Sequence, residues 1–276
     1  MITLCTKQLE NKIIYFNFAK RLFNGYNILQ IPNELYNNLI DLSVEYNLEI
    51  PSYQNIRETY NYLINKYYHN EITIKSNFIN NILLNLKENI TIFEFKLENS
   101  RADLCTIGKR SIAFEIKTDL DNFLRLEKQI NDYSEVFEEV YIICSKQNLK
   151  NISKILPSHC GIYSYNISDN GIYTFRKERK SSIIKNLNKF KQLNLLSKTE
   201  LKNSFSKCKN LSSKEQMIEL ILNNYTLKYI NYKFKKVVKE KYKEKWEFLK
   251  QNNNQIYEID YQWFFKNNIS PQLIYQ

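Results

Sequence analysis

Two carboxylates and a lysine fall on a stretch that reads as a β-hairpin. Asp103 lies in ADLCTI, and Glu115 and Lys117 lie in SIAFEIKT, two strand-like runs separated by Gly108, Lys109 and Arg110, a turn-length break. Along the second run side chains alternate, so Ile112, Phe114 and Ile116 point one way while Ala113, Glu115 and Lys117 point the other. Acidic oxygens beside an ammonium suit phosphodiester hydrolysis. That reaction needs a hard cation to neutralise developing charge and to lower the pKa of an attacking water, and Mg²⁺ is typically held by one or two carboxylates with several waters retained. Asp103 and Glu115 are of the right type to be those ligands. Taken alone, the D-x(n)-E-x-K spacing is a weak signal, and Glu115 and Lys117 equally describe an ordinary pair on a solvated sheet face.

The elements that must position these residues are legible on both sides. ITIFEFKL, carrying Glu94, reads as a preceding strand. After Lys117 the pattern changes to helical spacing, with Leu120, Phe123, Leu124, Ile130 and Phe137 on the buried side. Gln129 and Tyr133 fall one turn apart on that helix, with Arg125 and Asp121 one and two turns earlier on the same stripe. Such a stripe can reach a phosphate or brace Lys117. Tyr133 also reads as core, and Arg125 as an i, i+4 partner of Asp121. VYIICS at 140–145 reads as a buried strand, and GIYSYNIS and GIYTFRK as one or two edge strands.

Together, SRAD, EIKTDLD, RL and Q-xxx-Y, followed by LP-xx-xG from Leu156 to Gly161, resemble the PD-(D/E)XK nuclease superfamily, and more narrowly a small, mostly uncharacterised bacterial branch of it. The likeness spans roughly residues 90–175, about a third of the chain. It implies a restriction-endonuclease-like α/β core with a central mixed sheet, and metal-dependent cleavage of nucleic acid, DNA ahead of RNA. By the same resemblance Asp103, Glu115 and the backbone carbonyl of Ile116 would hold Mg²⁺ or Mn²⁺. Lys117 would orient the water or stabilise transition-state charge, Glu94 would stand near the metal, and Gln129 and Tyr133 would complete the catalytic group. Ala102 stands before Asp103 where the family name has proline.

Composition bounds the rest. In 276 residues, 43% are apolar and 14% aromatic, enough for a core, and only four glycines and four prolines argue for helices around a small sheet. Residues 1–75 carry seven basic and seven acidic side chains, residues 76–175 carry 11 and 13, and residues 176–276 carry 22 and 9. The expected division is a helical region at 1–75, a nuclease core at 76–176 and a basic helical region at 177–276. In the first, Pro32 opens a helix through Asn47, and Ser52 caps another carrying Ile56, Tyr60, Leu63 and Tyr67. In the last, YTLKYINYKFKKVVKEKYKEKWEFLK reads as one amphipathic helix whose Lys235, Lys236, Lys239 and Lys243 either grip phosphates or form a solvated face. A membrane-surface helix is a further reading of it. Upstream, Ser212 and Glu215 read as a capping box, opening the second of two short helices that weakly resemble a helix-turn-helix.

Five cysteines show no CxxC pair, and only two histidines are available to complete a zinc site, so reduced thiols are expected. With no leader-like or membrane-spanning apolar run, the chain is expected to be soluble and cytoplasmic. The expected partner is nucleic acid and not a membrane, with the protein acting alone, as a homodimer or with a partner subunit. A second class of function is a catalytically silent nucleic-acid-binding protein that uses the nuclease fold as a scaffold.

Overall fold

The computed structural model describes residues 2–50 and 55–275. Its sheet is built around two strands buried along nearly their whole length, β3 (Ser111–Lys117) and β4 (Glu139–Ser145). A strand covered on both faces needs no polar alternation, which is why EVYIICS is a continuous apolar run. The order is β1 (Ile90–Lys96), β2 (Arg101–Ile107), β3, β4, β5 (Gly161–Ile167) and β6 (Tyr173–Arg179). The first three strands pair antiparallel and β3–β4–β5 pair parallel, so the sheet is mixed. Parallel neighbours require crossovers, supplied by α5 (Leu126–Ser134) and α6 (Leu149–Ile155). The α/β core with helices before and after it is as the sequence suggested, and the 108–110 break is the β2–β3 turn, closed by Gly108 N–H donating to Arg110 O at 3.0 Å.

Packing divides the chain into two units: residues 1–81, 166–174 and 248–276 form one, residues 82–165 and 175–247 the other. The basic C-terminal stretch is therefore shared between them and is not a unit of its own.

The first unit is helical. It contains α1 (Ile2–Gly25), α2 (Pro32–Tyr46), α3 (Ile56–Tyr67) and α4 (Glu71–Phe78), together with the C-terminal α11 (Tyr261–Asn267) and α12 (Pro271–Ile274). Phe18, Leu22, Leu35, Leu39, Tyr60 and Leu63 centre its core. Helix α2 starts at Pro32, which loses nothing by lacking an N–H at that position, and ends on Asn47 in the left-handed conformation (φ 52°). Ser52 lies outside the described residues; α3 is capped by Asn55, whose side chain accepts from Arg57 N–H.

The second unit holds the sheet with α5, α6, α7 (Lys189–Asn194), α8 (Lys198–Ser204), α9 (Lys214–Asn224) and most of α10 (Leu227–Asn252). The long amphipathic helix is α10, and Ile230, Phe234, Val238, Trp246 and Leu249 are its buried stripe. The cap of α9 is Ser213, not Ser212: Ser213 bonds both Gln216 N–H and Glu215, so the helix begins one residue later than the capping-box reading placed it. The capping box that does form is Ser197–Glu200 at α8. Among the described residues, no helix is long and apolar enough to cross a membrane.

Candidate active site

The β2–β3 ladder runs from Ile107–Ser111 to Leu104–Phe114 and then stops. One step further along the same register Asp103 faces Glu115, and the strands are joined there by a side chain: Ile116 N–H donates to Asp103 Oδ2 at 2.6 Å. In an extended strand a residue's N–H and C=O project to the same edge, so the Ile116 carbonyl is directed toward Asp103 as well. Asp103 and Glu115 thus stand on facing positions, with the Ile116 backbone between them, where β2 and β3 part.

Three side chains converge on Glu115. Lys117 Nζ donates to its Oε1 at 2.8 Å, Gln129 Nε2 donates to the same oxygen at 2.5 Å, and Tyr133 OH lies 2.6 Å from Oε2. Lys117 Nζ also donates to Gln129 Oε1 at 3.1 Å, which closes a ring of three side chains. The Tyr133 hydroxyl is 2.8 Å from Arg101 O as well, so its single hydrogen is shared between a carboxylate and a carbonyl. Gln129 and Tyr133 reach Glu115 together because they stand four residues apart on α5.

Burial decides between the two readings of the Glu115–Lys117 pair. Glu115 is 2% exposed and Lys117 8%, so they do not form a solvated face. Charged groups are rarely buried unless paired, and paired, desolvated charges in one place mark candidate functional sites. Burial raises the Glu115 carboxyl pKa, while Lys117, Tyr133 and Gln129 pull it back. Burial, and then the Glu115 charge, push the Tyr133 phenol far above its ordinary value, so it stays a donor at any working pH.

Glu94 is held by an unusual backbone. Phe93 pairs with Leu104 and Phe95 with Ala102, leaving Glu94 opposite Asp103 with φ at 54°, a left-handed conformation inside a strand. Strained residues of this kind persist where the surroundings over-determine them and concentrate at functional sites. Its carboxylate receives Arg101 Nε at 2.5 Å. Glu94 is also one of the residues around a cavity of about 330 Å³, with Phe95, Lys96, Glu200, Lys241 and Tyr242. The sequence reading gave Arg101 no role, although it stands in the SRAD stretch.

The structure corrects the helical reading of residues 120–125: Leu120 and Leu124, expected on the buried side of the helix, are 56% and 88% exposed. Helix α5 begins at Leu126, so Asp121 and Arg125 are not turns of that helix. Asp121 Oδ2 instead accepts from Thr118 N–H and Thr118 Oγ1, both at 2.8 Å, and this local clamp competes with helix formation. Arg125 is the exposed residue at the N-cap of α5. Of the four α10 lysines, Lys235 donates to Lys109 O and Glu138 Oε2, each at 2.8 Å, and Lys239 donates to Glu88 O at 2.8 Å. Lys236 and Lys243 are 55% and 59% exposed and face Glu240 and Glu247 one turn on.

The donor set fits a hard divalent cation. Asp103, Glu115 and the Ile116 carbonyl offer only oxygens, the ligand type that hard cations take. The four cysteines whose side chains are described are all buried free thiols, and burial raises the pKa of Cys105, the one on β2, away from the thiolate form that binds soft metals.

Comparison with known proteins gives three findings. A family model described as bacteriophage P4 protein cII matches residues 65–262. Protein cII of Enterobacteria phage P4 is 36% identical over 102 residues, 37% of this chain, and the match spans 38% of that protein's length. A solved structure, the SPO1766 protein of unknown function from Silicibacter pomeroyi, aligns over 39% of this chain and 68% of its own, with 14% identity and a TM-score of 0.31.

Proposed function

This chain belongs to the bacteriophage P4 protein cII family, and from its site we propose that it is a metal-dependent nuclease of the PD-(D/E)XK type, cutting DNA ahead of RNA. The observation that carries this reading is the buried convergence of Lys117, Gln129 and Tyr133 on Glu115, beside an Asp103 bonded to Ile116 N–H. An ordinary sheet interior has no reason to desolvate that many polar groups at one place.

Asp103, Glu115 and the Ile116 carbonyl would hold Mg²⁺ or Mn²⁺, which when bound supplies charge neutralisation and a more acidic water. The chain's own groups do the rest. The Ile116 N–H fixes one Asp103 oxygen, so the other keeps a set direction. Tyr133 and Gln129 hold Glu115 in one rotamer at the cost of no extra charge. Lys117 carries its ammonium at the end of β3, where it would orient the attacking water and offset the charge that builds on the phosphoryl oxygens. Water forms the new P–O bond as the ester P–O bond breaks; the water's proton passes to solvent and the leaving oxygen takes one up.

The test is incubation of purified protein with plasmid, linear and single-stranded DNA and with RNA, in Mg²⁺, in Mn²⁺ and in EDTA. Metal-dependent cleavage is expected, abolished by Asp103→Asn, Glu115→Gln and Lys117→Ala with the fold retained. Calorimetry is expected to lose Mn²⁺ binding in the two carboxylate variants and to keep most of it in Lys117→Ala. Wild-type rates in all three variants would remove the site from consideration, and tight nucleic-acid binding without cleavage would favour the silent scaffold.

A further inference from the structure

The parity that sets Asp103 opposite Glu115 places two cations one step further along the same face. Arg101 stands two residues before Asp103 on β2 and Lys117 two residues after Glu115 on β3, so all four side chains leave one side of the sheet. The opening between the strands is bridged there by the Tyr133 hydroxyl, 2.8 Å from Arg101 O and 2.6 Å from Glu115 Oε2, which ties the Arg101 backbone to the catalytic carboxylate. The Arg101 side chain is 58% exposed and yet held: its Nε lies 2.5 Å from Oε2 of Glu94, whose side chain is only 10% exposed. The guanidinium has no other partner among the described residues. Glu94 and Asp103 in turn offer carboxylate oxygens within 4.8 Å of each other, so the guanidinium is anchored beside the acidic group.

Stability does not account for this arrangement. A half-exposed ion pair contributes little, less than the left-handed backbone of Glu94 costs. Register adds a repulsion, because Lys96, also exposed, is the direct partner of Arg101 at the end of the β1–β2 ladder, and like charges facing across strands destabilise a sheet. The nearest acids of the β1–β2 turn and of α5 are engaged elsewhere: Asp132 accepts from Ser100 Oγ, and Glu135, Asp132 and Glu98 all act to raise the pKa of Lys191. A row of cations beside a metal-binding pair of acids is what a bound phosphodiester would relieve. We propose that Arg101 is a catalytic residue whose terminal nitrogens contact the nonbridging oxygens of the scissile phosphate, across from Lys117, and that Glu94 is the positioning residue that holds it there. The inference rests on the nuclease reading of the same site and deepens it. It gives the strained Glu94 a task other than metal ligation, and it explains an arginine in place of a lysine, since a planar fork meets two phosphate oxygens at once. A cation fixed in advance where phosphoryl charge builds acts mainly in the transition state.

The experiment compares the wild-type chain with Arg101→Ala, Arg101→Lys, Glu94→Gln and the Glu94→Gln, Arg101→Ala double variant. Cleavage is read in Mg²⁺, binding of a labelled duplex by anisotropy in Ca²⁺, and metal binding by calorimetry with Mn²⁺. Arg101→Ala is expected to lower kcat by about a hundredfold or more and duplex affinity by about tenfold, without loss of Mn²⁺ binding, and Arg101→Lys to recover only part of each. Glu94→Gln is expected to slow the wild type and to add nothing in the Arg101→Ala background, because its effect passes through the guanidinium. An Arg101→Ala chain that cuts and binds as the wild type does, Mn²⁺ binding lost with Arg101, or a Glu94→Gln loss that adds in full to that of Arg101→Ala would overturn the assignment. A wild-type chain that binds duplex through Arg101 and cuts no nucleic acid would keep the phosphate contact and sink the nuclease reading. Cleavage untouched by Arg101→Ala would do the reverse, and a chain that neither binds nor cuts would sink both.

Discussion

Tyr133 illustrates how a residue can serve packing and chemistry at once. Its ring is fully buried on α5, as the helical spacing suggested, and its hydroxyl reaches Glu115, which spacing alone could not establish. Asp103, Glu115 and Lys117 were legible because strand parity is strict and a short turn fixes the hairpin. The left-handed backbone of Glu94 and its Arg101 partner were not, since a non-glycine residue with positive φ leaves no mark in composition. Tyr133→Phe keeps the ring and removes one of the groups that lower the Glu115 pKa. The carboxylate then titrates at higher pH than in the wild type, so the acid limb of the cleavage profile moves upward. At neutral pH the loss in kcat is expected to be about tenfold to a hundredfold. A pH–rate profile of both proteins checks this, and an unmoved acid limb would mean that Glu115 is not the titrating group.

Helix α10 is the element where a charge count and a structure say different things. The excess of lysine after residue 176 suggested either four phosphate grips or a solvated face, and the helix itself, with its buried stripe, was plain in the sequence. Which lysines are bonded to protein was not plain, because the acceptors at Glu88, Lys109 and Glu138 lie more than ninety positions away. Lys235 sits in a half-buried pair with Glu138, so Lys235→Met should lower the unfolding free energy by about 1–3 kcal/mol by leaving that carboxylate short of a donor. Lys236→Gln with Lys243→Gln should change stability by only about 0.5 kcal/mol or less. If the helix grips duplex DNA, the same pair should make the slope of log affinity against log salt shallower by about 1.8, at about 0.9 per phosphate. Urea unfolding and anisotropy across a salt series separate the two effects. An unchanged slope would leave these two lysines as a solvated face.

At the scale of the whole molecule, composition varies in consecutive blocks while packing does not respect them. Residues 1–75 read as one helical region, yet their unit is completed by residues 166–174 and 248–276, because the side chains that bury their polar groups come from far along the chain. Asp260 is the clearest case: Tyr26, 234 positions away, donates to its Oδ2 at 3.0 Å and Tyr275 at 2.8 Å. Buried Arg57 lies beside this cluster, with its guanidinium 5.6 Å over the Tyr275 ring. Burial pushes the Asp260 carboxyl up to about 6 from an ordinary 3.8, against the opposing pull of the two phenols and Arg57. The folded chain therefore holds this proton more tightly than the unfolded chain does. The stabilising contribution is complete below the ordinary value and is lost as pH rises through about 6. It amounts to ~3 kcal/mol, the free energy of that difference in proton affinity between the folded and unfolded chains. This runs opposite to the usual acid denaturation of paired carboxylates, and an asparagine at the position has no proton to lose. Thermal midpoints of the wild type and Asp260→Asn, taken from pH 4 to pH 7, should show the wild type losing ground relative to the variant as pH rises, with the difference levelling off toward about pH 7. A gap between the two midpoints that stays constant across the range would show that Asp260 keeps one charge state throughout, and that Arg57 compensates its burial in full.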